Sequence, residues 1–136
     1  MKKIVIIGAT SSIAEHCARV WNRQTDVHFI LVARSIQRLE SIVGDLKVRN
    51  PKVKVDCCSV DFMDATAIQN LADSITKEGM IDVLLVAHGV LPDQNEALEK
   101  IWLIRESIEI NAISPVLFAE AFAGHMISAN SGSIAL

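Results

Sequence analysis

The sequence predicts an α/β protein built on a doubly wound parallel sheet, and three observations carry that expectation. Short β-branched runs alternate with segments of helical apolar spacing along the whole chain. Hydrophobic residues make up 51% of the 136 and aromatics only 4%, a balance suited to Val, Ile and Leu strands packed under Ala-rich helices. One glycine, Gly8, directly follows the first strand-like run and opens a stretch of small residues.

The elements follow in order. "KIVIIG" is a first strand, and Ile13, Cys17, Val20 and Trp21 then recur at helical spacing, giving a helix from about Ser12 to Arg23. "VHFILVA", Val27 to Ala33, is a second buried strand. Ser35 is expected to cap a second helix whose apolar face is Ile36, Leu39, Ile42, Val43 and Leu46. Asn50-Pro51 breaks the chain, and "VKVDCCSV" makes a third strand. Asp64 caps a third helix with Ile68, Leu71, Ala72 and Ile75 inward, and Gly79 is positioned to end it.

"IDVLLVAHG" is a fourth, central strand, followed by the variable stretch "VLPDQNEALEK" and a long helical pattern from about Ile101 to Met126. "SGSIAL" starts a fifth strand. Right-handed crossovers order this β-α-β-α-β-α-β-α-β chain as 3-2-1-4-5, one domain with its sheet incomplete on the C-terminal side. Ligands of such sheets bind beyond the carboxyl ends of the strands, at the switch point between strands one and four. Gly8 and Gly89 both fall there.

Composition narrows the function classes. The net charge of −3, with basic residues scattered along the chain, argues against a nucleic-acid partner. The N-terminal apolar run, Ile4 to Ile7, is too short for a secretory signal or a membrane span, so neither is expected. Cys17, Cys57 and Cys58 follow no metal spacing and form no disulfide framework. Adjacent Cys57 and Cys58 point to opposite faces of a strand, and all three read as buried, reduced thiols of a cytoplasmic protein.

The first loop has the chemistry of an anion site. Gly8 permits a tight turn after the strand, while Thr10, Ser11 and Ser12 bring hydroxyl and backbone donors to a helix N-terminus. Ala14 is small enough to let that helix pack close to the strand. A side chain at Gly8 is expected to collide with the turn or with a bound pyrophosphate.

These residues resemble the loop of the short-chain dehydrogenase/reductases, Thr-Gly-x-x-x-Gly-x-Gly, whose positions are here Ile7, Gly8, Ser12 and Ala14. One of three glycines remains. Further matches fall in order. The family's adenine-contacting Asp after strand three corresponds to Asp61 in "SVDFMD", with Phe62 beside it. Its Asn-Asn-Ala-Gly after strand four is here Val86, Ala87, His88 and Gly89, so only the glycine survives. Its structural and catalytic asparagine corresponds to Asn111 in "IEINAISPVLFAEAF".

The resemblance covers the whole chain, about half of a typical member, and implies a Rossmann fold that binds NAD(P). The cofactor-binding residues it implies are Gly8, Thr10, Ser11, Ser12, Ile13, Arg34, Ser35, Asp61, Phe62, Ala87, His88 and Gly89, with Asn111 catalytic. Pro115 cannot donate to a carbonyl four residues back, so the Asn111 carbonyl is left free. Family members use that carbonyl to hold a water in a proton relay. His88 reads as a packing or hydrogen-bonding replacement for alanine.

The end of strand two selects between cofactors. An NAD site places a carboxylate there, but this chain has Ala33, and Asp26 precedes the strand. Arg34 offers a guanidinium shaped for a 2′-phosphate, and Ser35 is expected to add a donor. The resemblance agrees, since an Arg after the missing acid is a common NADP pattern, although Ser11 stands where a second basic residue is often found. NADP is therefore the expected cofactor, ahead of NAD.

The family's chemistry uses a Ser after strand five and a Tyr-x-x-x-Lys on the next helix. This chain has no tyrosine, and Ser131 and Ser133 come too early to match. The expectation is the cofactor half of a reductase that interconverts a carbonyl and a secondary alcohol of a small molecule. A non-catalytic dinucleotide-binding regulator and a structural subunit remain alternatives. Leu117, Phe118 and Phe122 are expected to be unshielded together with Ile104 and Ile108 on the long helix, favouring a homo-oligomer.

Overall fold

The computed structural model describes residues 1–24 and 26–136. Five parallel strands form one open sheet in the order 3-2-1-4-5: β1 Lys2–Ile7, β2 Val27–Ala33, β3 Lys54–Ser59, β4 Val83–Val86 and β5 Ser133–Ala135. β1 is central and pairs with both neighbours, Ile4 lying opposite Phe29 on one side and Val83 on the other. Ile4, Val5, Ile6 and Ile7 are wholly buried, as an apolar run without alternation requires when helices cover both faces.

Strand alternation divides the core into two layers. Ile4, Ile6, Phe29 and Leu31 meet α1 (Ser12–Trp21) and α2 (Glu40–Arg49), through Ala14, Ala18, Ile42 and Leu46. Val5, Ile7, Ile30 and Val32 face the other way, towards α3 (Ala65–Lys77) and the last long helix. Cys57 packs on the first layer and Cys58 on the second, the opposed arrangement that adjacent strand residues dictate. Both, like Cys17, are half-buried rather than fully buried. Burial raises the thiol pKa of Cys57 and Cys58, so both are poor nucleophiles.

Two local expectations need correction. Ser35 does not cap an α-helix: its backbone opens a single 3₁₀ turn, Ile36–Leu39, and its hydroxyl donates to Gln37 Oε1 at 2.7 Å. α2 begins only at Glu40. By contrast, Asp64 caps α3 by accepting from the Ala67 N–H at 3.0 Å, and Gly79 follows the helix with φ of +120°.

After β4 a short α4 (Gln94–Glu99) precedes a 28-residue helical rod, Trp102–Ala129. The rod consists of α5 (Trp102–Ile108), a π-turn at Glu109–Ile113 and α6 (Ser114–Ala129). Pro115 has no N–H to give the Asn111 carbonyl, and the chain absorbs an extra residue just before it, the Ser114 N–H reaching Glu109 O. One residue of insertion rotates the helix by about 100°, so the apolar rows before and after the turn face different ways.

The rod is long enough, and over an 18-residue stretch with a mean hydropathy of 1.3 apolar enough, to cross a membrane, a property the short N-terminal run did not reveal. Its inward face is nonetheless core. Phe118 and Phe122 are fully buried against β4, β1 and α3, and Leu117 is half-buried, contrary to the expectation that they are unshielded. Ile104 and Ile108 are exposed as expected, and so are Trp102, Ile113, Val116 and Ile127.

Burial of this kind sets the cost of truncation. Phe118→Ala is expected to lower unfolding free energy by about 3–5 kcal/mol, measured as a drop in urea midpoint. Ile108→Ala, at a side chain 54% exposed, is expected to change it by no more than about 0.5 kcal/mol.

Candidate functional site

At the carboxyl end of the sheet β1 and β4 stop level with one another and their loops part in opposite directions. The Gly8 and Ala9 N–H groups bond the Val32 carbonyl, at 2.9 and 3.1 Å, which ties the first loop to β2. Ala87 N–H bonds Ile7 O at 2.9 Å on the other side. Gly8 then turns with φ of +75°, a left-handed conformation, and Ser11 N–H closes the turn on Gly8 O.

The reason for glycine is more specific than the sequence suggested. A Cβ on Gly8 would lie 2.6 Å from His88 Cβ and 2.7 Å from His88 N. It would strike the end of β4, so the constraint belongs to the sheet before any ligand is considered.

Ser11 caps α1, its hydroxyl accepting from Ala14 N–H at 3.1 Å. The N–H groups of Ser12 and Ile13 belong to the first turn and have no acceptor within the helix. They and the helix dipole make this end of α1 receptive to an anion.

A cleft of about 470 Å³ opens above these loops. Gly8, Thr10, Ser11, Arg34, Ser35, Phe62, His88 and Gly89 line it, eight of the residues the sequence singles out. Ala33, Arg38, Val90 and Ile110 join them. Ser12 and Ile13, the first residues of α1, and Ala87, the first after β4, were also singled out but do not line it. Asp61 lines a neighbouring shallow groove with Arg34, Asn70 and Ser74, and spends one carboxylate oxygen on the Met63 N–H at 2.9 Å.

His88 is the hub of the floor. Its Nε2 meets Ser114 Oγ at 2.9 Å, and its ring lies 4.5 Å from Phe62 and 5.6 Å from Phe118, centroid to centroid. Nδ1 is buried without a protein partner. Burial, and after it the Arg34 charge, push the imidazole down to about 4. His88 is therefore neutral at pH 7.

Asn111 sits in the π-turn and grips the backbone of the β4 loop. Its Oδ1 accepts from Val90 N–H and its Nδ2 donates to Val90 O, each at 2.7 Å. A Cβ on Gly89 would come within 3.2 Å of Asn111 Oδ1, so Gly89 keeps this grip unobstructed. Asn111 thus shapes the cleft through Val90 without lining it.

The electrostatics favour an anion. Two guanidiniums, Arg34 and Arg38, line the cleft and no carboxylate does. Among the described residues neither arginine is held in an ion pair. Asp26, the acid whose spacing from Gly8 invites an NAD reading, accepts the N-terminal ammonium at 2.8 Å beyond the amino end of β2.

This glycine turn, helix end and switch-point cleft coincide with a match over nearly the whole chain. A family model described as short chain dehydrogenase covers residues 2–136. The chain belongs to the short-chain dehydrogenase family. Dehydrogenase/reductase SDR family member 7B of Danio rerio is 30% identical over 138 residues, spanning 98% of this chain and 44% of that protein. A metagenomic short-chain oxidoreductase solved in complex with NADP superposes with a TM-score of 0.83 at 23% identity, covering 98% of this chain and 60% of the other. An NAD⁺-bound xylitol dehydrogenase gives 0.82 at 20% identity, covering 98% and 51%. This short-chain dehydrogenase sequence thus spans about half the length of the relatives it matches.

Within this short-chain dehydrogenase, Arg38, Val90 and Ile110 line the cleft and were missed by sequence reading, and of these only Arg38 is charged. The signal for Arg38 was present as a second arginine four residues after Arg34.

Two outcomes test the geometry. A His that ionises at about 4 when folded and about 6.5 when unfolded takes up its proton first in the unfolded chain. Stability should therefore fall as pH drops from about 6.5 to about 4, and His88→Ala should flatten that part of the urea-midpoint profile. Gly8→Ala combines a left-handed φ costing about 1–2 kcal/mol with the His88 collision, and should lower the melting temperature.

Proposed function

We propose that this chain is the cofactor-binding part of an NADP(H)-dependent short-chain oxidoreductase that interconverts a carbonyl and a secondary alcohol of a small molecule. The observation that carries the reading is the end of β2. Buried Ala33 stands where an NAD site needs a carboxylate, and the next residue, Arg34, turns an unpaired guanidinium into the cleft. The metagenomic relative solved with NADP gives the fold a precedent for that cofactor.

The residues present fit such a dinucleotide. The Gly8 turn and the first-turn N–H groups of α1, with Thr10 and Ser11, would hold the pyrophosphate. Arg34 would take the 2′-phosphate through a charge-assisted fork, and Asp61 with Phe62 would bound the adenine from the β3 end. Gly89 and Val90, fixed by Asn111, would face the nicotinamide half. The nicotinamide supplies hydride transfer when bound, and the protein's part is to orient it and exclude water.

Proton transfer needs an acid that this tyrosine-free chain does not supply. His88 is a poor substitute, since its Nε2 is engaged by Ser114 and it ionises at about 4. The same reading takes the exposed apolar residues before the π-turn, Trp102, Ile104 and Ile108, as part of a homo-oligomer interface, and the free thiols as those of a cytoplasmic protein.

Fluorescence titration tests the cofactor assignment. Arg34→Ala should weaken NADPH binding by about 1.5–3 kcal/mol, roughly ten- to a hundredfold, and leave NADH binding within about twofold. Equal NADPH affinity in the two proteins would remove Arg34 from the site. In an NADPH-oxidation assay the 136-residue chain should show no carbonyl reduction, and robust turnover would overturn the reading that none of its own side chains serves as the acid.

A further inference from the structure

We infer that His88 and Ser114 form a positioning pair for the nicotinamide half of the cleft. The bond between them locks the end of β4 to the long rod and so sets where Asn111 holds Gly89 and Val90. The inference rests on the NADP(H) reading for its ligand and adds to it a pair that acts through other residues.

Ser114 differs from other hydroxyl residues on the helices. Ser74, Thr76, Ser107 and Ser128 each donate to a carbonyl three or four residues earlier in their own helix. Ser114, 1% exposed at the start of α6, instead meets His88 Nε2 at 2.9 Å across the gap to β4. The π-turn before it carries the Ser114 N–H to Glu109 O, off the α register. Without His88 the buried hydroxyl would have no partner among the described residues, and that cost holds the pair together.

Two aromatic rings hem the imidazole. Phe62 lies 4.5 Å from it with ring planes 46° apart, and Phe118, on α6, lies 5.6 Å away at 70°. Both phenyl rings are buried, so the imidazole has little room to swing and Nε2 keeps its aim.

Two residues along the loop, Val90 receives the paired 2.7 Å bonds of Asn111. Loop and rod are thus joined twice, His88 to Ser114 and Val90 to Asn111. Asn111 lies inside the π-turn and Ser114 follows it, so the first tie fixes the segment from which the second reaches. Gly89 runs between the two, with room for no Cβ nearer than 3.2 Å to Asn111 Oδ1. The family pattern has alanine where His88 stands, and alanine can form no such bond. The tie is a property of this chain.

The test compares the wild-type chain with Ser114→Ala, His88→Phe, His88→Gln, the double variant His88→Phe/Ser114→Ala, Arg34→Ala and His125→Ala. Ser114→Ala removes a single oxygen. Phenylalanine keeps a ring beside Phe62 and Phe118 without a nitrogen, and glutamine keeps a polar atom within reach of Ser114. His125, exposed on α6 and bonded to Asp73 at 3.1 Å, controls for the loss of a histidine. Circular dichroism establishes that each variant is folded.

Ser114→Ala and His88→Phe are expected to weaken NADPH roughly three- to tenfold. Adenosine 2′,5′-bisphosphate, which lacks the nicotinamide, should stay within about twofold. The double variant should lose no more than either single one, as a shared bond requires. His88→Gln should recover most of the affinity, and His125→Ala should match the wild type. In the nucleotide-free chain, hydrogen exchange of the Val90 N–H should quicken in Ser114→Ala, His88→Phe and the double variant alone.

Unchanged Val90 exchange in Ser114→Ala, equal losses for the two ligands, or losses that multiply in the double variant would overturn the role of the pair. NADPH affinity kept by Ser114→Ala and His88→Phe but reduced by Arg34→Ala would overturn the pair and leave the NADP(H) reading standing. A folded wild-type chain that binds neither ligand would overturn both.

Discussion

Gly8 and His88 meet where the two central strands end, with 2.6 Å between a hypothetical Cβ on one and the Cβ of the other. No residue but glycine lets β1 and β4 finish side by side at that separation, and a positive φ of 75° sends the chain away from β4 towards α1. The opening above the strands exists because the two loops diverge from this single point. His88 passes the constraint onward by packing beneath Phe62 and bonding Ser114, which seats the π-turn. Asn111 in that turn then fixes Val90.

The floor of the cleft is thus apolar and neutral while its β2 wall is cationic. Burial holds His88 uncharged, and Arg34 reinforces this by disfavouring a second positive charge nearby. A chain with a net charge of −3 concentrates at one strand end two guanidiniums that form no ion pair among the described residues, and no carboxylate lines the cleft with them. In the proposed reading the roles separate physically: backbone N–H groups and a helix end would serve a pyrophosphate, and side-chain charge would read the feature by which the nucleotides differ.

Strand order and the two-layer core were legible because β1, β2 and β4 are continuous apolar runs and α3 carries a clear cap in Asp64. Most of the cleft was legible for the same reason, since strand ends fix where loops must lie. What escaped depended on contacts distant in sequence or on non-α turns. The 3₁₀ turn at Ile36–Leu39 keeps an α-like apolar spacing, so Ser35 reads as a cap and Arg38 as one more helix residue. Phe118 and Phe122 are core through contacts with β1, β4 and α3, which an expectation built on the incomplete sheet leaves out. The collision that selects Gly8 joins residues 80 positions apart, and local pattern cannot show it.

The central claim is that the switch-point cleft holds an adenosine 2′-phosphate against the β2 wall. Its most direct measurement is an amide-shift titration of the ¹⁵N-labelled chain with adenosine 2′,5′-bisphosphate, using adenosine 5′-monophosphate as the reference. The account predicts saturable shifts from Gly8 to Ile13, from Arg34 to Arg38 and around Asp61, with the Arg34 to Arg38 shifts absent or much smaller for the monophosphate. Identical shift patterns for the two nucleotides, or shifts confined to the apolar groove between α4 and α5, would contradict it.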